Sequence, residues 1–472
     1  MQFNLPGNKS IHRARPSFVW LFLILIVYFL FFPLPVHAEA IKKATKDNGL
    51  ALENCAHPLS LTQLTNIALN NNPATRIAWE QVKIAAANLG IVKSSYWPQI
   101  NTNINLTYGL NNAFKRGNNN SGSNQKNNLS SNPALSINYL LLDFGTRANN
   151  VNAAHDKLLA EKFSSNADIQ QLILQLNQAY YHLLGQQAMV IVAKQTVNEA
   201  QTSLASANAL HKAGMAIIGD VYQAQSTLAQ AELSLQKVQE QLAVAKGQLA
   251  ITMGLPVQTS VCVVQLSQHE AIKPVLQSVI QLVEQAKKLR PDLLAAQAQV
   301  KAAQATLVAT KAQAWPTLQL TANTGQTCPT GVLCNYGYQS SVTLSLNIPL
   351  FTGFSETNAI RRAEAQQEQT QAQHTLLANQ ISLQVWQAYY ALQGAYQAIH
   401  STQVLLKSSV LAAEQALGQY RAGVGNILSV LTTQTAKANA KAQLIQAQLD
   451  WYLATAQLAQ ALGTLNTVSY GN

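Results

Sequence analysis

Seven histidines lie beyond the first 50 residues of this 472-residue chain, namely His57, His155, His182, His211, His269, His374 and His400. No two stand at the short spacing from which metal sites are built. No phosphate loop, nucleophile elbow or dinucleotide fingerprint is present. Charged residues make up only 11% of the chain, which leaves few candidates for acid and base roles. The sequence thus offers no catalytic, cofactor-binding or metal site, and a function other than an enzyme's is expected. The formal charge of +11 is scattered, and its densest cluster, Lys42, Lys43 and Lys46, has no interleaved aromatic residues. Nucleic acid, which single-strand platforms bind by stacking, is therefore not an expected partner.

Disulfide formation is the remaining covalent chemistry. Cys328 and Cys334 flank a short Pro-Thr-Gly-Val-Leu loop and are the candidate disulfide, with Cys55 and Cys262 as the candidate second pair. Spacing alone leaves other connectivities open. The compartment allows such bonds. Lys9, Arg13 and Arg15 precede an unbroken apolar run from Phe18 to Phe32, and Val36-His37-Ala38 follows with small-residue spacing. This predicts a secretory signal over residues 1–38, cleaved after Ala38. The apolar run is shorter than the roughly 20 residues a spanning helix needs. Glu39 stands where a lipid-anchored protein would carry a cysteine, so lipid anchoring is not expected.

The elements that follow come in duplicate. Pro73 matches Pro291 and Trp97-Pro98 matches Trp315-Pro316, at an offset of 218. Gln178-Ala179-Tyr180-Tyr181 matches Gln387-Ala388-Tyr389-Tyr390, and Gly185, Gly214 and Gly254 match Gly394, Gly423 and Gly463, at an offset of 209. The difference is an insert in the first half, where residues 111–132 are rich in Asn, Gly and Ser and read as a solvated loop.

Each half contains two stretches of period-two alternation, which predicts strands. Ile100, Thr102, Ile104, Leu106, Tyr108 and Leu110 share one face, and Leu135, Ile137, Tyr139 and Leu141 one face of the return strand. Leu318, Leu320 and Ala322, then Val342, Leu344, Leu346 and Ile348, repeat the pattern. Opposite faces carry uncharged polar residues. A half-buried soluble sheet alternates in the same way. The export signal, the absence of charge and a length close to the 9–11 residues of a tilted membrane strand favour a lipid-facing sheet. Four strands cannot close a barrel alone, and an open edge in hydrocarbon leaves backbone groups unsatisfied. Oligomerisation is therefore expected, and three copies supply twelve strands.

From Thr146 to Ala213 there is no proline and one glycine, Gly185. A helix over that stretch reaches about 100 Å at 1.5 Å per residue. Ile169, Leu172, Leu176, Ala179 and Leu183 step by three and four, as packed helices require. Ser355 to Ala422 is its partner, and each stretch ends at a glycine, Gly214 or Gly423, suited to a C-terminal cap before a returning helix. Such heptads alone also describe a plain coiled-coil spacer.

Taken as an ordered set, the duplication, the Trp-Pro strand entries, the two strands per half and the long helical hairpins resemble the TolC-like outer-membrane efflux family, over roughly residues 59–465. The resemblance implies an α+β membrane protein, a homotrimer whose 12-stranded β-barrel, four strands per chain, continues into a long periplasmic α-helical barrel of coiled-coil hairpins. It implies an outer-membrane exit duct for efflux or type I secretion, joined to a periplasmic adaptor and an inner-membrane pump. The expected partition is 1–38 signal peptide, 39–96 N-terminal arm and first-repeat helices, 97–145 first β-hairpin and 146–255 first helical hairpin. It continues with 256–280 as the inter-repeat equatorial segment, 281–314 second-repeat helices, 315–353 second β-hairpin, 354–463 second helical hairpin and 464–472 tail. The competing reading is an exported coiled-coil structural or adaptor protein that forms no pore.

The same resemblance implies a gate at the periplasmic tips. Gly214 to Asp220 is similar to the family's tip, with Asp220 at an acidic position used in closing contacts, and Tyr420 and Gly423 match the second tip. Gly425 stands where the best-known member carries an arginine, and Ser429 and Thr432 replace two aspartates of its constriction. The expected closed end therefore lacks an acidic ring, and cation selectivity that depends on one does not carry over. Arg421 has two readings, a partner for Asp220 or a solvated cation favoured by the helix end.

Overall fold

A computed structural model describes residues 58–111, 126–264, 277–326 and 338–465, all within the unit Glu53–Asn472. The predicted signal, residues 265–276 of the equatorial segment, the end of the tail and the candidate disulfide of Cys328 and Cys334 lie outside the described residues, as does Cys55. Cys262 is disulfide-bonded.

In chain order the elements are α1 (Leu61–Asn71), α2 (Pro73–Lys93), β1 (Gln99–Asn111), β2 (Lys126–Leu142), α3 (Thr146–Lys212) and α4 (Ile218–Thr252). The second half repeats them as α5 (Val279–Leu289), α6 (Pro291–Ala312), β3 (Thr317–Gln326), β4 (Tyr338–Asn347), α7 (Ser355–Arg421) and α8 (Ile427–Ala461). Local signals fix the short helices. Ser60 and Gln63 form a reciprocal capping box at α1, and Asn72 caps α2, whose first residue is the matched Pro73. The two proline-free stretches are each one helix of 67 residues. Among the described residues no helix is long and apolar enough to cross a membrane.

The four strands form one antiparallel sheet in the order β1-β2-β3-β4. Its register aligns the alternation of the strands up to Leu140; there β2 bulges, so that Leu142, and not the expected Leu141, lies across from Leu318. Ile100, Ile137, Ala322 and Val342 lie in one row directly across the sheet, and Asn101, Ser136, Asn323 and Ser341 in the next. The apolar residues of the edge strands, Ile100, Ile104, Leu106, Val342, Leu344 and Leu346, stand exposed, as a face turned to lipid would be. β2 corrects one expectation. It begins at Lys126, inside the tract read as loop through 132, and Ser131 and Asn132 pair with Leu106 and Asn105. Ladder bonds are made by the backbone, so a polar composition does not end a strand whose partner continues.

Strand passes to helix through two residues of positive φ in each repeat, Phe144 and Gly145, then Gly353 and Phe354. The first junction is fastened by Arg147. Its guanidinium donates to Asp143 Oδ2 at 3.1 Å, to Leu140 O at 2.7 Å and to Ser95 O at 3.3 Å, and lies 5.0 Å from the Tyr96 ring centre. The second junction has Thr352 and Glu356 at the matched positions and none of these bonds. Side by side, α2 packs on α3, α3 on α6 and α6 on α7. The cores sit between the long hairpins and the short helices, one around Leu64, Leu176, Leu249 and Met253 and its counterpart around Leu282, Ile381, Val385 and Leu458.

Candidate gate at the hairpin tips

Both hairpins turn through the same backbone motif. Gly214 and Gly423 adopt φ of +74° and +75°, a conformation that costs a side-chain-bearing residue energy and glycine little. Around them Met215 N donates to Leu210 O and Gly214 N to His211 O, both at 2.9 Å. Val424 N to Gln419 O and Gly423 N to Tyr420 O, both at 3.0 Å, repeat the pair. These are the bonds of a Schellman cap, and they satisfy carbonyls that the ending helix leaves free.

Side chains then diverge. Asn426 caps α8, its Oδ1 accepting from Ser429 N at 2.7 Å, whereas the matched Ile217 gives α4 no side-chain cap. Gly425 corresponds to Ala216, yet a Cβ at Gly425 would lie 2.9 Å from Tyr420 N and 3.1 Å from Gln419 C. The second turn therefore folds back too tightly for any side chain there. Asp220 corresponds to Ser429 and Gln223 to Thr432, so each chain carries one carboxylate at these four tip positions.

The tips are held together by apolar packing. Ala207, Val221 and Ala224 of the first hairpin cluster with Ala416, Tyr420, Ile427 and Val430 of the second. Tyr420 is buried, and its hydroxyl has no hydrogen-bond partner among the described residues. Burial, and then the nearby Asp220 carboxylate, push its phenol above the usual tyrosine range, because both disfavour a phenolate. Arg421 is exposed and, among the described residues, forms no ion pair. Within one copy, therefore, Arg421 is not paired with Asp220. An exposed cation has little to gain from such a pair.

Two features escaped the sequence. A groove of about 590 Å³ runs between α4 and α8, lined by Gln223, Ser226 and Thr227 opposite Thr432, Thr435 and Ala436, with no charged side chain. These residues match one to one at the offset of 209, which was the available signal. Further from the tip, α3 and α8 are joined by a polar ladder. Lys437 Nζ donates to Glu199 Oε1 at 2.8 Å and Ser203 Oγ to Gln434 Oε1 at 3.0 Å, while Lys441 bonds Gln195. Its members lie more than 230 residues apart in sequence, so no local pattern announces them.

The model of the family described as outer membrane efflux protein matches residues 64–255 and 282–464. Protein CyaE of Bordetella pertussis is 27% identical over 397 residues, covering 83% of this chain and 78% of its own. Outer membrane efflux protein BepC of Brucella suis is 23% identical over 406 residues, covering 86% and 85%. Among solved structures, VceC of Vibrio cholerae superimposes with a TM-score of 0.73 at 20% identity, covering 85% of this chain and 96% of that one. CusC does so at 0.75 and 20%, covering 89% and 95%. These structural likenesses establish the fold.

Proposed function

Since this chain belongs to the outer membrane efflux protein family, we propose that three copies of it form an exit duct. Four strands from each copy close a 12-stranded barrel in the outer membrane, and the helical hairpins extend the passage into the periplasm. The observation that carries this reading is the sheet itself. β1 and β4 are each unpaired on one side, and the apolar residues of both stand exposed. In hydrocarbon such edges must be paired, and a second copy offers the matching edge.

The tips are the gate on this reading. Asp220, Tyr420, Gly425, Ser429 and Thr432 lie at or beside the turns, where the apolar cluster joins the two hairpins of a copy. With Ser429 and Thr432 uncharged, the constriction relies on packing and on hydroxyl and amide groups. Opening separates the tips under the pull of a periplasmic adaptor, and an inner-membrane pump supplies both energy and cargo. Purified protein in a planar bilayer tests the proposal. Trimers that run anomalously until heated, with stepwise conductance raised by Val430→Asp in the tip cluster, are expected. A protein that fractionates with the soluble periplasm and forms no channels is instead the envelope spacer.

A further inference from the structure

The duplication lets each helix face of one repeat be compared with the same face of the other. On α6, the stripe Ala295, Ala298, Ala302, Ala305 and Ala309 is alanine throughout, and Ala295, Ala302 and Ala309 are 6, 2 and 1% exposed. The same stripe on α2, 218 positions earlier, reads Ile77, Glu80, Ile84, Ala87 and Ile91. Its three isoleucines are 59, 60 and 68% exposed, at a spacing of seven that places them on one helix face. α2 is not short of a core side, since Ala78 and Leu89 on another face are buried.

What differs is a missing neighbour. α6 has a long helix on both sides, α3 and α7, whereas α2 packs on α3 alone among the long helices. The complementary vacancy is on α7. Ala153 and Ala160 of α3 are buried, while the matched Arg362 and Gln369 of α7 are exposed. The sheet repeats this pattern, because β2 pairs with β3 across the repeats while β4 and β1 have no such pairing. The α2 and α7 edges and the β1 and β4 edges thus lack the same contact, that of a second repeat with a following first repeat.

Resting on the duct reading for the second copy, we infer that the Ile77, Ile84 and Ile91 stripe docks on the Arg362 and Gln369 face of α7 in another copy of this chain. Side-chain volume then tells that seam apart from the one inside the chain. Inside, the buried stripe of α6 is alanine, small enough to let a neighbouring helix approach closely. Between copies, isoleucines pack beneath the aliphatic stems of Arg362 and Gln369, whose polar ends reach water. An α2 helix placed against α3 in the position of α6 would overpack a seam built for alanine. An α6 helix placed against a neighbour's α7 would leave a gap. Discrimination of this kind selects one closure of a ring whose two repeats otherwise share one backbone plan.

Photo-cross-linking in the full chain in outer membranes tests this, with the reactive side chain placed at Ile84, at the off-stripe position Lys83, and at Thr343 on β4. Cross-links from position 84 into residues 362–376 of another copy, in at least tenfold the yield from position 83, are expected. The variant I77A/I84A/I91A should lower the fraction of trimer surviving heating about tenfold without loss of helical signal. Capture of lipid or of a different protein at position 84 overturns the docking, as does an unchanged triple variant. Joining of copies from position 343 but not from position 84 overturns the stripe alone, and joining from neither overturns the duct with it.

Discussion

The two repeats share one backbone plan and differ at their ends. The first repeat fastens strand to helix with the largely buried Asp143 and Arg147 pair and leaves its tip loosely specified, with Ile217 giving no cap. The second has no such fastening at Thr352 and Glu356, yet its tip is tightly specified, with Asn426 capping and no room for a Cβ at Gly425. The contrast teaches that duplication preserved turns and periodicity, which the backbone demands, while side chains specialised. One repeat is anchored near the strands and the other at the tip.

The strongest way to break this comparison is Arg147→Ala. It takes the charged partner from Asp143, leaving that carboxylate only the backbone N–H groups of Gly145 and Arg147, and frees the carbonyls of Ser95, Leu140 and Leu141. Breaking such a pair costs about 3–5 kcal/mol when buried. Glu356→Ala, at the matched position, should stay within about 0.5 kcal/mol. Urea midpoints of the two variants measure the difference, and equal midpoints would remove the asymmetry at the strand end. At the tip, Gly425→Ala is expected to cost about 1–3 kcal/mol by overpacking. Ala216→Gly in the first hairpin should cost well under half that, as read from hydrogen exchange along each turn.

Asn426→Ala should destabilise the second tip by about 1 kcal/mol, and Ile217→Asn should gain up to a similar amount in the first. Opposite signs in thermal melts would sharpen the contrast between capped and uncapped turns. The Glu199 and Lys437 pair is half-buried and joins the two hairpins, so a double-mutant cycle is expected to return a coupling of about 1 kcal/mol. Smallest is a pH effect. The phenol of Tyr420 is held above its ordinary range in the fold, so its contribution is intact below about pH 10 and is lost as pH rises toward the raised value. Helical signal that declines above pH 10 in the native chain, but less in Tyr420→Phe, is the expected result.

Period two over Ile100–Leu110, period seven along Ile169–Leu183 and glycines at 214 and 423 made strands, long helices and turns legible, because each answers to a local backbone rule. The beginning of β2 at Lys126 was not legible. A polar strand is made by its partner's backbone and not by its own composition.

The sequence by itself determined the duplicated plan, the two-faced strands and the place of the tips, all of which are set by periodicity and by glycine. Only the tertiary structure decided which faces go without neighbours. It showed Ile77, Ile84 and Ile91 exposed where their alanine counterparts are buried, Arg421 apart from Asp220, and Glu199 against Lys437. Those outcomes depend on contacts between residues far apart in the chain, and a local pattern carries no information about which distant face will arrive to cover it.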